Sequence, residues 1–97
     1  MYQFHWKQIS SIDSKEKEYI SKFISNIFNL DISLQNTHHI GLIKYDNKII
    51  GVGCLEWNQT YKYSHIYNVG ISKNHRGKKL CHKIIQYIMN QKIENFQ

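Results

Sequence analysis

Residues 64 to 84, Ser-His-Ile-Tyr-Asn-Val-Gly-Ile-Ser-Lys-Asn-His-Arg-Gly-Lys-Lys-Leu-Cys-His-Lys-Ile, restrict the fold more than any other stretch of this chain. They read as an extended apolar strand, a short polar turn and the start of a basic helix, so a sheet has to end beside a helix N-terminus here. The single arginine, Arg76, stands where that helix is expected to begin, followed by Gly77, Lys78 and Lys79. A helix N-terminus presents unpaired backbone N–H groups and the positive end of its dipole, which makes it an anion site. A glycine and three cations at that place point to a phosphate-bearing ligand. Composition alone favours a plainer reading, a solvated helix face.

A chain of 97 residues holds one small domain with a single core. Its formal charge of +6 favours acidic partners: nucleotides, coenzymes, nucleic acid or anionic surfaces. Nearly all of the cations are Lys, whereas paired readout of phosphates and guanines leans on Arg, so specific nucleic-acid recognition has little support. Cys54 and Cys81 lie far apart and form no CxxC pair, which argues for a reducing compartment rather than a disulfide scaffold. No signal peptide and no membrane-length apolar run is visible, and a soluble, intracellular (cytoplasmic) protein without membrane partners is the expectation.

Along the chain, Tyr2, Phe4 and Trp6 alternate with Gln3, His5 and Lys7, the period-two pattern of a half-buried strand. Asp13 and Glu16 have capping-box spacing. Tyr19, Ile20, Phe23, Ile24, Ile27 and Phe28 then recur at helical spacing and predict an amphipathic helix over 14–29. Residues 29 to 37 read as a loop or a short helical turn. Two strands, 40–45 and 48–57, are expected to meet across a hairpin turn at Asp46-Asn47. Gly51 and Gly53 mark a bulge or a close backbone approach in the second. A turn at 58–60 leads to a third strand of this meander, 61–71. Leu80, Ile84, Ile85 and Ile88 predict a closing helix from about Arg76 to about Gln91. The order β-α-β-β-β-α, with a mostly antiparallel sheet, is an α+β fold over residues 1–97.

The run Ile66-Tyr67-Asn68-Val69-Gly70-Ile71-Ser72-Lys73-Asn74-His75-Arg76-Gly77-Lys78-Lys79-Leu80-Cys81 resembles the acetyl-coenzyme A signature of the GNAT family of N-acetyltransferases. In that family a strand ending in a small residue between aliphatics precedes Arg/Gln-x-x-Gly-x-Gly/Ala at a helix start. Arg76 holds the Arg/Gln position. Lys79 stands where the first Gly is usual, and Cys81 where Gly or Ala is usual. The element order from residue 1 to 95 is similar to the first two-thirds of an acyl-CoA N-acyltransferase fold. The usual C-terminal strands are lacking, because the family continues beyond this helix and the chain ends at Gln97.

The resemblance implies acetyl-coenzyme A as co-substrate, an amine as acceptor and no metal. It implies that backbone groups of Val69, Gly70 and Ile71 pair with the pantetheine arm at a bulge. Backbone N–H groups from Arg76 through Gly77, Lys78, Lys79 and Leu80 to Cys81 would cradle the pyrophosphate. Some members carry a Glu or His base early in this strand. His65 takes that place as the base that accepts the ammonium proton, with Tyr67 on the same face. Glu56 is a second candidate base. An alternative is a non-catalytic structural or interaction subunit with a degenerate fold, its sheet completed by a partner chain or by homodimerisation. The remaining histidines, His38, His39, His75 and His82, have no metal-ligand spacing and read as scattered surface residues.

Overall fold

A computed structural model of the chain describes residues 1–29, 34, 38–58 and 60–95. Strand β1 (Tyr2–Gln8) is followed by a 3₁₀ turn (Ile9–Ser11) and helix α1 (Ser14–Phe28). Strands β2 (His38–Tyr45), β3 (Lys48–Asn58) and β4 (Tyr63–Ile71) come next, then a second 3₁₀ turn (Lys73–His75) and helix α2 (Leu80–Asn95). The four strands form one antiparallel sheet in chain order, with β1 and β4 at its edges. The segment 29–37, expected to be a loop or helical turn, lies outside the described residues except for Asn29 and the buried Leu34.

Each local signal acts through identifiable atoms. The Asp13 carboxylate accepts the Glu16 N–H at 2.7 Å and starts α1 one residue later. Asn29 ends that helix in the left-handed conformation, φ 54°, which asparagine tolerates better than most residues. Asp46 and Asn47 both take positive φ, 51° and 65°, the requirement of a two-residue hairpin turn whose twist matches its strands. The Asn58 side chain accepts the Tyr61 N–H at 3.0 Å, so the next turn closes on itself and β4 starts two residues later than expected.

Alternation along the strands sends side chains to two cores, one on each face. On one face Ile20 and Ile24 of α1 pack against Ile40, Leu42, Val52 and Cys54. On the other, Leu80, Ile84 and Ile88 of α2 pack against Ile43, Leu55 and Ile71, with Tyr2, Phe4 and Trp6 at the margin. Full burial of an isoleucine such as Ile84 or Ile88 is worth roughly 2 kcal/mol. Gly53 permits this packing: a Cβ there would stand 2.5 Å from Ile88 Cδ1. Tyr19, expected in the buried stripe of α1, is instead 53% exposed. It lies about 100° around the helix from Ile20, off the face that meets the sheet.

Candidate functional site

The junction between β4 and α2 is longer than the sequence suggests. The closing helix starts at Leu80 rather than at Arg76. Residues 73–75 form a 3₁₀ turn, and Gly77 (φ 82°) and Lys79 (φ 59°) are left-handed, which no α-helix accommodates. The turn is pinned at both ends. The Ser72 N–H donates to the Ile50 carbonyl at 2.7 Å, and Lys83 N–H donates to the Lys79 carbonyl at 3.2 Å. Arg76 bends back so that its Nε donates to the carbonyl of Ile71 at 2.9 Å. That bond fixes the plane of the guanidinium and leaves its outer nitrogens for another partner.

β4 is irregular just before the turn. Val52 pairs with Gly70 and Cys54 with Tyr67, so β4 carries one residue more than β3 over this step. The extra residue is accommodated at Asn68, whose φ of 52° is left-handed. A bulge was expected here only through the family resemblance. The sequence signal is Asn68 itself, a residue that tolerates positive φ in the middle of an apolar strand.

Strand end, turn and helix start enclose a cavity of about 390 Å³. Ile27 and Phe28 from the end of α1, together with Val69 and Leu80, give it an apolar wall. The wall continues through Gly70 and Ile71, while His75, Arg76, Gly77, Lys79 and Cys81 supply the turn side. Of the cofactor-binding residues expected from sequence, only Lys78 is outside this lining. Its Nζ lies 5.7 Å from the centre of the Tyr2 ring. Ile27, Phe28 and His75 line the cavity although sequence reasoning assigned the first two to the core and the third to the surface. Gly70 has a packing reason of its own: a Cβ there would stand 2.8 Å from Ile27 and 2.9 Å from the Phe28 ring.

Lys79 occupies the position where the signature usually has glycine, and its positive φ gives the reason for that preference. The lysine takes up a backbone conformation suited to glycine, with its own side chain exposed. Cys81, in the first turn of α2, is an exposed free thiol. Cys54 is buried, and burial pushes its thiol up to about 12, which keeps it protonated and inert.

His65 and Tyr67 are outside the cavity lining, on the face of β4 that looks toward α1. Their rings stack with centroids 5.3 Å apart and 29° between planes. His65 is exposed and pairs across the ladder with the half-buried Glu56. Burial, with the nearby Cys54 and Glu56, raises the Tyr67 phenol well above its ordinary value. That phenol stays protonated at neutral pH and can donate a hydrogen bond. Two histidines differ from the surface role expected of them. His39 stacks on Trp6 at 5.5 Å, and His75 is bonded to Tyr2.

A family model described as "Acetyltransferase (GNAT) family" matches residues 1–95. The chain belongs to the GNAT family of acetyltransferases. Structures of three proteins show how far the fold is shared. Escherichia coli ElaA superposes with a TM-score of 0.85 at 13% identity, over 99% of this chain and 72% of that one. An acyl-CoA N-acyltransferase from Pseudomonas aeruginosa gives 0.79 at 14% identity, over 99% and 73%. A GNAT acetyltransferase from Elizabethkingia anophelis, solved with acetyl-CoA bound, gives 0.61 at 13%, over 98% and 60%. At these identities the likeness is one of fold. No curated protein matches the chain by sequence. Among the described residues no helix is long and apolar enough to cross a membrane, and no three His, Cys, Asp or Glu side chains gather to hold a metal ion.

Proposed function

We propose that this GNAT domain binds acetyl-coenzyme A at the β4–α2 junction and transfers the acetyl group to an amine. The observation that carries the reading is the cavity itself. It joins an apolar wall from Ile27, Phe28, Val69 and Leu80 to a cationic turn holding Arg76 and Lys79. An apolar arm ending in a polyanion matches both halves. In this reading the outer edge of β4 at Val69, Gly70 and Ile71, beside the Asn68 bulge, meets the amide groups of the arm, with the Ile71 carbonyl already accepting from Arg76 Nε. N–H groups around Gly77, Lys79, Leu80 and Cys81 and the outer nitrogens of Arg76 receive the pyrophosphate.

In the transfer, His65 takes a proton from the ammonium form of the acceptor, freeing the nitrogen lone pair. The nitrogen attacks the thioester carbonyl, the new C–N bond forms, and the C–S bond breaks. The attacking nitrogen sheds its second proton, the departing thiolate takes up that proton, and coenzyme A leaves as the thiol. Tyr67, held protonated by burial, donates toward the developing negative charge. Glu56, directly across from His65, is the second candidate for the base.

Calorimetry with acetyl-coenzyme A, paired with an assay of thiol release, tests the reading. Expected are saturable binding and a His65→Ala variant that keeps its affinity while turnover falls. No binding at millimolar ligand overturns the coenzyme site, and unchanged turnover removes His65 as the base.

One observation favours a second reading, a non-catalytic subunit. Among the described residues β4 pairs on one side only, so its outer edge can take a strand from another chain or a second copy. Light scattering distinguishes the two: a monomer that turns over acetyl-coenzyme A rules this reading out.

A further inference from the structure

Tyr2 and His75 are 73 positions apart in sequence, yet the Tyr2 hydroxyl lies 3.0 Å from His75 Nδ1. The contact is half-buried and enclosed by rings. Tyr2 and Tyr45 are paired across β1 and β2, with ring centres 5.1 Å apart. The His75 ring stands 5.7 Å from Tyr2, edge-on, and 5.2 Å from Tyr45. His75 therefore has its Nδ1 engaged and its ring clamped, while the same residue lines the cavity between β4 and α2.

The chemistry of the pair determines what the other ring nitrogen can offer. A neutral imidazole carries one N–H, and a phenol can either donate or accept. When Tyr2 donates to Nδ1, the imidazole proton must sit on Nε2. With Nδ1 taken by Tyr2, Nε2 is the ring nitrogen left to meet an anion, and the reverse arrangement would offer that anion a lone pair. A phosphate oxygen therefore selects the first arrangement, in which Nε2–H is a donor without the imidazole having to become charged.

We propose that His75 is a phosphate-binding residue of this cavity, donating from Nε2, and that Tyr2 is the positioning residue that sets its tautomer and ring plane. The proposal rests on the coenzyme reading above. It adds a side-chain donor on the opposite side of the turn's sequence from Lys79, one supported from the first strand.

Calorimetry with coenzyme A, 3′-dephospho-coenzyme A and inorganic pyrophosphate tests it. His75→Phe keeps the ring packing and loses the donor; it should weaken coenzyme A binding about tenfold, the effect of one hydrogen bond to a charged group. Tyr2→Phe keeps both rings and releases the tautomer, and should weaken binding by less, about threefold. His75→Gln places an amide N–H near the position of Nε2 and should regain most of the loss. A His75→Phe effect that persists with the dephospho form assigns the donor to the pyrophosphate; one that vanishes assigns it to the 3′-phosphate. Wild-type binding to coenzyme A that neither Phe variant weakens overturns the proposal and leaves the coenzyme reading standing. A loss that Gln does not repair reduces the pair to a structural clamp and overturns the donor role. Pyrophosphate binding that depends on His75 in a chain that ignores coenzyme A supports the donor and overturns the coenzyme reading. Binding of neither ligand overturns both.

Discussion

The two helices of this domain begin in opposite ways. At α1 the Asp13 carboxylate closes on the Glu16 N–H, and the Glu16 side chain stands 3.4 Å from Lys7. One N-terminal donor and the neighbouring Glu16 charge find partners within the chain. At α2 the residue before the helix is Lys79, whose side chain has no acceptor, and the first turn contains no acidic residue. The turn around it is cationic and left-handed at two positions. A helix start supplied with its own anion is a structural joint, whereas one surrounded by cations and facing a cavity has the charge that the proposed pyrophosphate site requires.

Four substitutions would break or sharpen this contrast. Arg76→Glu should have the largest effect. It replaces the guanidinium tethered to Ile71 by a carboxylate at the cavity mouth, and coenzyme A affinity should fall by about 100-fold, roughly 2.7 kcal/mol. Calorimetry reads this directly, and unchanged affinity removes the pyrophosphate assignment. Gly70→Ala pushes a methyl group into Ile27 and Phe28, where α1 ends against β4. Overpacking of this kind costs about 1 to 3 kcal/mol, seen as a lower denaturant midpoint.

Asp13→Ala should cost about 1 kcal/mol of stability by the same measurement and leave coenzyme affinity unchanged. If ligand binding falls with it, the two helix starts are not independent. Lys79→Gly is expected to raise stability by roughly 0.5 to 1 kcal/mol, because glycine takes positive φ without steric cost.

The smallest effect concerns pH, and it falls on the α1 side. His5 is held below its ordinary value, first by burial and then by Lys44 and Lys7, with Glu16 opposing. Among the described residues its buried Nε2 has no hydrogen-bond partner. The unfolded chain therefore binds this proton more readily than the folded one. The contribution of His5 to stability is full above the ordinary histidine value of 6.5 and declines as pH falls below it. Melting curves on either side of pH 6.5 should show a shallower acid decline in His5→Phe than in the parent chain.

Much of the fold was legible because its signals are local. The alternation of Tyr2, Phe4 and Trp6 gave β1, the Asp13 cap placed the first residue of α1, and Asp46-Asn47 fixed the hairpin. The run from Ile66 to Cys81 marks where the cavity lies, since a strand end followed by a basic turn puts a helix start beside a sheet. Sequence reasoning misplaced features whose causes lie elsewhere in the chain. The apolar spacing of α2 was visible, but its start was not, because left-handed backbone at Gly77 and Lys79 leaves no periodic trace. Tyr19 shared the stripe of α1 and still fell outside the buried face.

Sequence by itself therefore determined the order of elements, the first helix cap, the hairpin and the place of the cationic turn, all set by residues within a few positions of one another. Tertiary structure alone decided that the end of α1 walls the cavity through Ile27 and Phe28, that Asn68 carries the bulge, and that Tyr2 reaches His75. Those contacts join segments that meet only when the sheet has formed, and no local pattern encodes a distance across it.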